Sequence, residues 1–278
     1  MVGMDSSHSY DLEAYARRVS YRGPLEPSLG VLQDLAMAHS TSVPFENLSV
    51  LLGHGIDLRP EAIETKLVGQ RRGGYCFEQN GLMLGILRQI GFQVTPLAGR
   101  VRLELPRSVT PPRTHLFLLV QIDGDRWFFD VGVGGSSLTA PVLWKLDEPQ
   151  ETPHDQRRII FEGGKYFHQI LMGDAWADVY EFTGEPMEEI DRKVANWWTS
   201  TNKNSKFHQG LMAAIATPDG TRKGIMNRRF LHRHGADVLH ASTIQTSEEL
   251  LDVLKTEFGL EFEPGTRFSS GERPWPTN

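Results

Sequence analysis

Arg71-Arg72-Gly73-Gly74-Tyr75-Cys76-Phe77-Glu78-Gln79-Asn80 carries the only cysteine in a chain of 278 residues, and it stands where a helix begins. Downstream, Phe77, Leu82, Leu84, Ile86, Leu87 and Ile90 follow a helical period, and Gly91 supplies a stop. The two glycines let the backbone turn tightly and approach a ligand closely. A thiol in the first turn meets the positive end of the helix, which favours a thiolate, and the free amide N–H groups there can receive an oxyanion. A lone cysteine closes no intrachain disulfide. Cys76 is therefore either a small buried hydrophobe or an activated nucleophile.

Working outward, the N-terminal third reads as helical. Leu12, Tyr15, Ala16 and Val19 share one face of a helix begun at Asp11, and Leu29 to Ala38 repeats the pattern. Pro60 is placed to open a third helix through Ile63 and Leu67. After Gly91 the pattern changes to strands. Phe92 to Leu103, His115 to Ile122, Arg126 to Val131, Arg157 to Phe161, Lys165 to Met172 and Trp176 to Phe182 are rich in branched and aromatic residues. Asp123-Gly124-Asp125 and Gly163-Gly164 read as turns between them. This middle third predicts an antiparallel barrel or sandwich. The last third is mixed: Leu211 to Thr217 and Arg222 to Asn227 flank the turn Pro218-Asp219-Gly220. A helix then runs from Thr246 or Ser247 to Phe258, with Thr246 and Glu249 as a capping box and Gly259 as the stop. The tail from Pro264 to Asn278 shows little periodicity. The pattern shifts divide the chain into 1–92, 93–197 and 198–278.

A thiolate nucleophile wants a base, and the base wants an orienting group. His115 opens one arm of the hairpin about Asp123–Asp125 and Asp130 ends the other, which places them roughly opposite each other near its open end. The bland alternative is a surface histidine and a loop aspartate at strand termini. Gly132-Val133-Gly134-Gly135 follows Asp130 directly; it matches neither a Rossmann nor a Walker loop, yet its N–H groups can meet a phosphate or thioester. A plain strand-exit turn fits it equally well. His232 and His234 lack a second ligand cluster, so no zinc site is indicated.

Bulk properties exclude other classes. Hydrophobic residues make up 39% and charged residues 23%. A net charge of −6 and a sequence pI near 5.9 give no basic footprint for nucleic acid. No apolar run approaches the roughly 18 residues that span a bilayer. The segment Met1 to Ser20 is polar and unlike a signal peptide, and with one cysteine it points to the reducing cytoplasm. Oligomeric state is not legible.

Taken together, Arg72-Gly73-Gly74-Tyr75-Cys76-Phe77-Glu78-Gln79-Asn80, His115 and Asp130-Val131-Gly132-Val133-Gly134 resemble the arylamine N-acetyltransferase family. Val43-Pro44-Phe45-Glu46-Asn47-Leu48, Gly91-Phe92 with Ala98-Gly99-Arg100-Val101, and Asn196-Trp197-Trp198-Thr199-Ser200-Thr201 extend the resemblance over nearly the whole chain. Val133 departs from it, since the family often carries phenylalanine there.

The resemblance implies an α+β fold: an N-terminal helical bundle, a central antiparallel β-barrel and a C-terminal α/β lid, around a cysteine-protease-like core. It implies Cys76 as nucleophile, His115 as base and Asp130 as orienter, with no metal. Acetyl-CoA would be the donor and co-substrate; aromatic amines, hydrazines and N-hydroxyarylamines would accept, through an acetyl-cysteine in a ping-pong scheme. Thr114, Gly132 and Gly134 would contact the coenzyme, and Arg72 would pair with Glu46 and Asn47 to hold the helix start. Lys203, Lys206, Arg222 and Lys223 are nearby basic candidates for the coenzyme phosphates. The same triad also serves transglutaminase- or protease-like enzymes, which take a different acyl donor.

Overall fold

A computed structural model of the chain describes residues 8–103, 105–270 and 273–275. Residues 1–7, on which part of the signal-peptide reading falls, and 276–278 at the end of the tail lie outside the described residues. Local chemistry sets the N-terminal helices. Asp11 caps Leu12–Arg18 by accepting from Ala14 N at 2.8 Å, with Glu13 in the first turn and Arg17 and Arg18 in the last. Ser28 caps Leu29–Ser42, which outlasts the expected stop at Ala38 by a turn. Pro60 opens Pro60–Glu64, and that helix passes into a π-helical turn, Thr65–Gly69. The helix Cys76–Ile90 shares one core with the N-terminal helices and the sheet. Its Leu82, Met83, Ile86 and Leu87 pack with Tyr15, Leu32 and Leu35 on one side and with Leu118, Val120 and Phe129 of the sheet on the other.

The second layer is an eight-stranded antiparallel sheet. Its order is Val142–Leu143, Asp125–Phe129, His115–Ile122, Gln93–Val101, Ala175–Pro186, Lys165–Met172, Gln156–Glu162, Gln150–Glu151. The two outermost strands are tied together: Leu143 N donates to Gln150 Oε1 at 2.8 Å, and Gln150 Nε2 donates to Leu143 O at 2.9 Å. The barrel is thus nearly closed, which leaves little open edge. Its interior is filled by Phe117, Phe128, Tyr180 and Phe182, with ring centroids 4.8–6.1 Å apart. The hairpin turn carries Asp123 at φ 52° and Gly124 at φ 87°, the two left-handed positions of a two-residue hairpin loop.

A second antiparallel sheet orders Phe45–Glu46, Met212–Ala216, Arg222–Met226, Arg229–His234 and Asp237–Thr243. Ser247–Phe258 packs on it through Leu250, Leu254 and Phe258. Thr246 Oγ1 accepts from Glu249 N at 3.1 Å, but the Glu249 carboxylate returns to Gln245 N at 2.6 Å, so the expected capping box closes one residue upstream. A two-residue strand from the first third of the chain therefore forms the edge of a sheet built from the last third. Glu189–Thr201 is helical and spans position 197. Its apolar residues Ile190, Val194, Trp197 and Trp198 recur at helical spacing, but being branched or aromatic they are weak helix formers, and propensity alone hides the helix. Among the described residues, no helix is long and apolar enough to cross a membrane.

Candidate active site

Cys76 is the first residue of its helix and is buried. Tyr75 precedes it in extended conformation, and Tyr75 N donates to Glu78 Oε2 at 3.1 Å, fixing the first turn. Gly73 and Gly74 approach the chain itself rather than a ligand. Gly74 forms a bridge to Phe45, with Glu46 N donating to Gly74 O at 3.1 Å and Gly74 N to Pro44 O at 3.3 Å. A Cβ on Gly73 would stand 2.1 Å from Pro44 O, so only glycine lets the two strands meet. Gln79 locks the junction by donating to Pro44 O and Gly74 O at 3.1 and 2.8 Å, and by bonding His39 at 3.1 Å.

His115 and Asp130 come from the barrel and meet Cys76 at its rim. His115 Nε2 lies 2.7 Å from Asp130 Oδ2, and Cys76 lies close enough to act on the same ring electrostatically. With Nε2 on Asp130, Nδ1 is the nitrogen left for the thiol. The Cys76 thiol also lies 3.6 Å from the carbonyl of Thr114. Burial alone would lower the His115 pKa; the Asp130 charge and hydrogen bond, with the nearby Cys76, more than reverse this and raise it to about 10. Burial likewise opposes ionisation of Asp130, but His115, Asn80 and Gly132 N hold its carboxyl below the usual range. The favoured state is a buried imidazolium against the Asp130 carboxylate.

Asn80, which sequence reading left as part of a motif, is the hinge of this arrangement. Its Nδ2 donates to Asp130 Oδ1 at 2.8 Å and to Leu116 O at 2.7 Å, while its Oδ1 accepts from Val131 N at 3.1 Å. One side chain on the Cys76 helix thereby fixes both barrel strands. Its place four residues after Cys76, on the same helical face, was the available signal.

Arg72 donates to Glu46 Oε1 through Nη2 at 2.7 Å and Nε at 3.2 Å, as expected. Asn47 does not join that pair. Its Nδ2 donates to Phe207 O and Gly210 O, both at 2.8 Å, and its Oδ1 accepts from Met212 N at 2.9 Å. Three backbone groups of the C-terminal segment need partners at that seam, and Asn47 satisfies them all. The glycine loop also differs in detail. Gly132 is buried and its N–H donates to Asp130 Oδ1 at 3.0 Å, so this amide serves the carboxylate and not a phosphate. Gly134, at φ 68°, is half-buried beside Phe45. Of the four basic candidates, Arg222 is buried against Asp155 at 2.8 Å and Lys223 pairs with Glu257 at 2.7 Å. Lys203 and Lys206 are exposed.

An open cleft of ≈390 Å³ reaches Thr114, lined by Ala98, Pro112, Pro186, Met187, Ala195 and Trp198, with Arg113 and Asp191 as its charged members. Ala98, Met187 and Ala195 pack in one cluster with Cys76, so the cleft ends on the wall that holds the thiol. The Tyr75 hydroxyl bonds Asn196 Oδ1, which couples the helix start to the Glu189–Thr201 helix forming one side of that cleft. Among the described residues, no group of three or more histidines, cysteines or acids is arranged to hold a metal ion.

A family model described as N-acetyltransferase matches residues 28–267. The arylamine N-acetyltransferase of Mycobacterium tuberculosis is 40% identical over 254 residues, spanning 90% of this chain and 89% of that one. An arylamine N-acetyltransferase / N-hydroxyarylamine O-acetyltransferase of Salmonella typhimurium is 37% identical over 249 residues, 90% of this chain and 88% of the relative. The solved arylamine N-acetyltransferase of Mycobacterium marinum in complex with CoA superposes with a TM-score of 0.86 at 36% identity, covering 90% of this chain and 92% of that one.

Proposed function

The chain belongs to the arylamine N-acetyltransferase family, an acetyl-CoA-dependent acyltransferase, and from that premise we propose that Cys76, His115 and Asp130 carry the acetyl group by a ping-pong route. The observation that carries this reading is the sharing of one buried imidazole between Asp130, at 2.7 Å, and the Cys76 thiol. Cys76 Sγ attacks the acetyl carbonyl carbon of acetyl-CoA, and the Cys76 N–H faces the oxyanion that forms. The C–S bond to the coenzyme breaks, and the departing thiolate takes the proton held by His115. An arylamine, hydrazine or N-hydroxyarylamine then attacks the acetyl-cysteine. His115 receives the amine proton as the Cys76 thiolate leaves, and Asp130 keeps the imidazole oriented throughout.

The cleft past Thr114 is the route we assign to both substrates, with Thr114 at its coenzyme side and Gly134, which lies outside its lining beside Phe45, as a further coenzyme contact. The core is read as cysteine-protease-like. Residues 1–92 carry the nucleophile, 93–197 carry the base and orienter, and 198–278 act as a lid. Cytoplasmic residence fits the free thiol.

Incubation with acetyl-CoA, without acceptor, tests the proposal directly. Mass spectrometry should find one acetyl group on the Cys76 peptide, discharged on adding an arylamine. Peptide acylation or cleavage with no acetyl adduct would favour the protease- or transglutaminase-like alternative.

A further inference from the structure

Inside the barrel lie buried polar atoms with few or no protein partners. Both ring nitrogens of His168 and Arg157 Nη1 are buried and without hydrogen-bond partners among the described residues, and Tyr180 Oη, also buried, has only the Asp130 carboxylate to turn to. Such atoms are rare in folded proteins, and each calls for an ordered water or ion. These four share one interior face. His168 and Tyr180 are cross-strand partners with ring centroids 4.8 Å apart. Arg157 is two residues from Ile159, the other partner of His168, and so points to the same side.

The group stands between two charged clusters. On one side the Tyr180 ring is 5.0 Å from the His115 ring, and its hydroxyl feels the Asp130 charge. On the other, Asp155 accepts from Arg157 Nη2 at 3.0 Å and from Arg222 Nη2 at 2.8 Å. The same arginines anchor the loop after Asp130, Arg157 on Ser136 O at 2.9 Å and Arg222 on Ser137 O at 3.0 Å. His168 senses both clusters: Arg157 and Asp155 from one side, Asp130 and His115 from the other. Arg157 and Arg222, with Arg233 beside them, outnumber Asp155 and leave this cluster an excess of positive charge. Under the proposed function, a Cys76 thiolate and Asp130 against a His115 imidazolium leave one negative charge over. The two excesses are opposite in sign and face each other across His168 and Tyr180.

We propose that the barrel holds an ordered water site bounded by Tyr180 Oη, His168 and Arg157 Nη1, that it bridges the His115–Asp130 pair to the Asp155–Arg157–Arg222 cluster, and that His168 is a positioning residue for that pair. Burial, with Arg157 beside it, holds His168 down at about 3, so the ring is neutral and offers one N–H and one lone pair. A water can accept from Arg157 and donate to that lone pair. An anion would face the lone pair and the carboxylates of Asp130 and Asp155, so water is the occupant.

The functional half of this rests on Cys76 as nucleophile; the occupancy half does not. A high-resolution crystal structure of the whole chain should show an ordered water within hydrogen-bond distance of at least two of the four atoms. A dry interior, or a bromide peak there after soaking, overturns the site. For the positioning role, the pH dependence of Cys76 alkylation by iodoacetamide is measured in His168→Phe and His168→Gln. Phenylalanine keeps the edge-to-face ring contact with Tyr180 but removes both nitrogens, and the midpoint should rise by about 0.5–1 pH unit, the scale of one hydrogen bond. Glutamine keeps a donor and an acceptor and should restore the wild-type midpoint. Equal midpoints in all three proteins, or equal shifts in both variants, overturn the positioning role; if His168→Phe does not fold, a shift in His168→Gln does so. A wild-type Cys76 that resists alkylation at every pH would sink the proposed function and leave the occupancy result standing.

Discussion

His115 and Asp130 sit diagonally across their hairpin, not opposite each other, and still hold Nε2 and Oδ2 2.7 Å apart. The register pairs Leu118 with Phe129 and Ile122 with Asp125, so Asp130 continues toward Phe117 and His115 toward Gly132. Residues two apart on one strand share a face, which makes the pair a diagonal neighbour within reach of a long side chain. The strand itself ends at Phe129. Asp130 then leaves the ladder, and its carboxylate turns back onto its own Gly132 N–H and onto Asn80. With Nε2 held by Asp130, Nδ1 is the ring nitrogen that remains available to Cys76.

Replacing Asp130 with Asn should leave a folded protein whose acetyl transfer falls by about 10³–10⁴-fold, the effect of losing the orienting carboxylate in such triads. The pH dependence of stability carries a further signature. His115 is raised to about 10 in the fold, against an unfolded value near 6.5, so its contribution is complete below about pH 6.5 and lost as pH rises through 10. Asp130 is lowered, so its contribution is present above about pH 4 and lost as pH falls. The Tm gap between wild type and Asp130→Asn should be widest between about pH 4 and 6.5 and narrow toward pH 10. A gap that grows with alkalinity would contradict this assignment of charges.

The Arg72–Glu46 pair should behave as a buried ion pair. The Glu46 side chain is fully buried and Arg72 is 16% exposed. Glu46 Oε2 also accepts from Leu48 N at 2.6 Å, and the guanidinium lies 4.5 Å from the Phe262 ring centroid. Arg72→Met strands a buried carboxylate and should cost about 3–5 kcal/mol in urea unfolding. Arg72→Lys keeps the charge but loses the two-point contact and the stacking, and should cost about 1–2 kcal/mol. Equal losses in the two variants would mean that the charge is not what matters.

Much of this site was legible because its chemistry is local. A glycine pair, a helix start, a hairpin and its two polar ends lie within short spans, and periodicity locates each of them. Cys76–Ile90 and His115–Ile122 begin and end where their side chains said. What escaped was set by long-range contact. Phe45–Glu46 has no strand pattern of its own and becomes a strand only because Ala213 and Ala214 lie beside it. Asn47 looked like a partner of Arg72, its motif neighbour, but serves groups more than 150 positions away. Sequence proximity is a poor guide where a side chain closes a seam between segments.

Asn47 itself gives the next test. Alanine there would leave Phe207 O, Gly210 O and Met212 N without their partner. Stability should fall by about 2–4 kcal/mol. Hydrogen exchange should quicken first in Met212–Ala216, the strand that these contacts seat beside Phe45–Glu46. Uniform quickening over the whole protein would instead mean that the seam opens only with global unfolding.

Gly132 and Gly134 separate two reasons for a glycine in one loop. A Cβ on Gly132 would stand 2.7 Å from Asn80 Nδ2 and 2.8 Å from Cys76 Cα. The first neighbour holds Asp130 and the second is backbone, so neither can move without disturbing the triad. Gly132→Ala should cost about 1–3 kcal/mol of overpacking and slow both Cys76 alkylation and acetyl transfer. Gly134 has φ 68°, but a Cβ there meets only Phe45 at an ordinary 3.5 Å. Gly134→Ala should carry a backbone cost of about 1 kcal/mol and leave the rate of Cys76 alkylation unchanged. Comparing the two variants by alkylation rate and Tm distinguishes contact with the thiol's backbone from strain in the loop: equal alkylation rates would show that the space beside Cys76 is not what Gly132 protects.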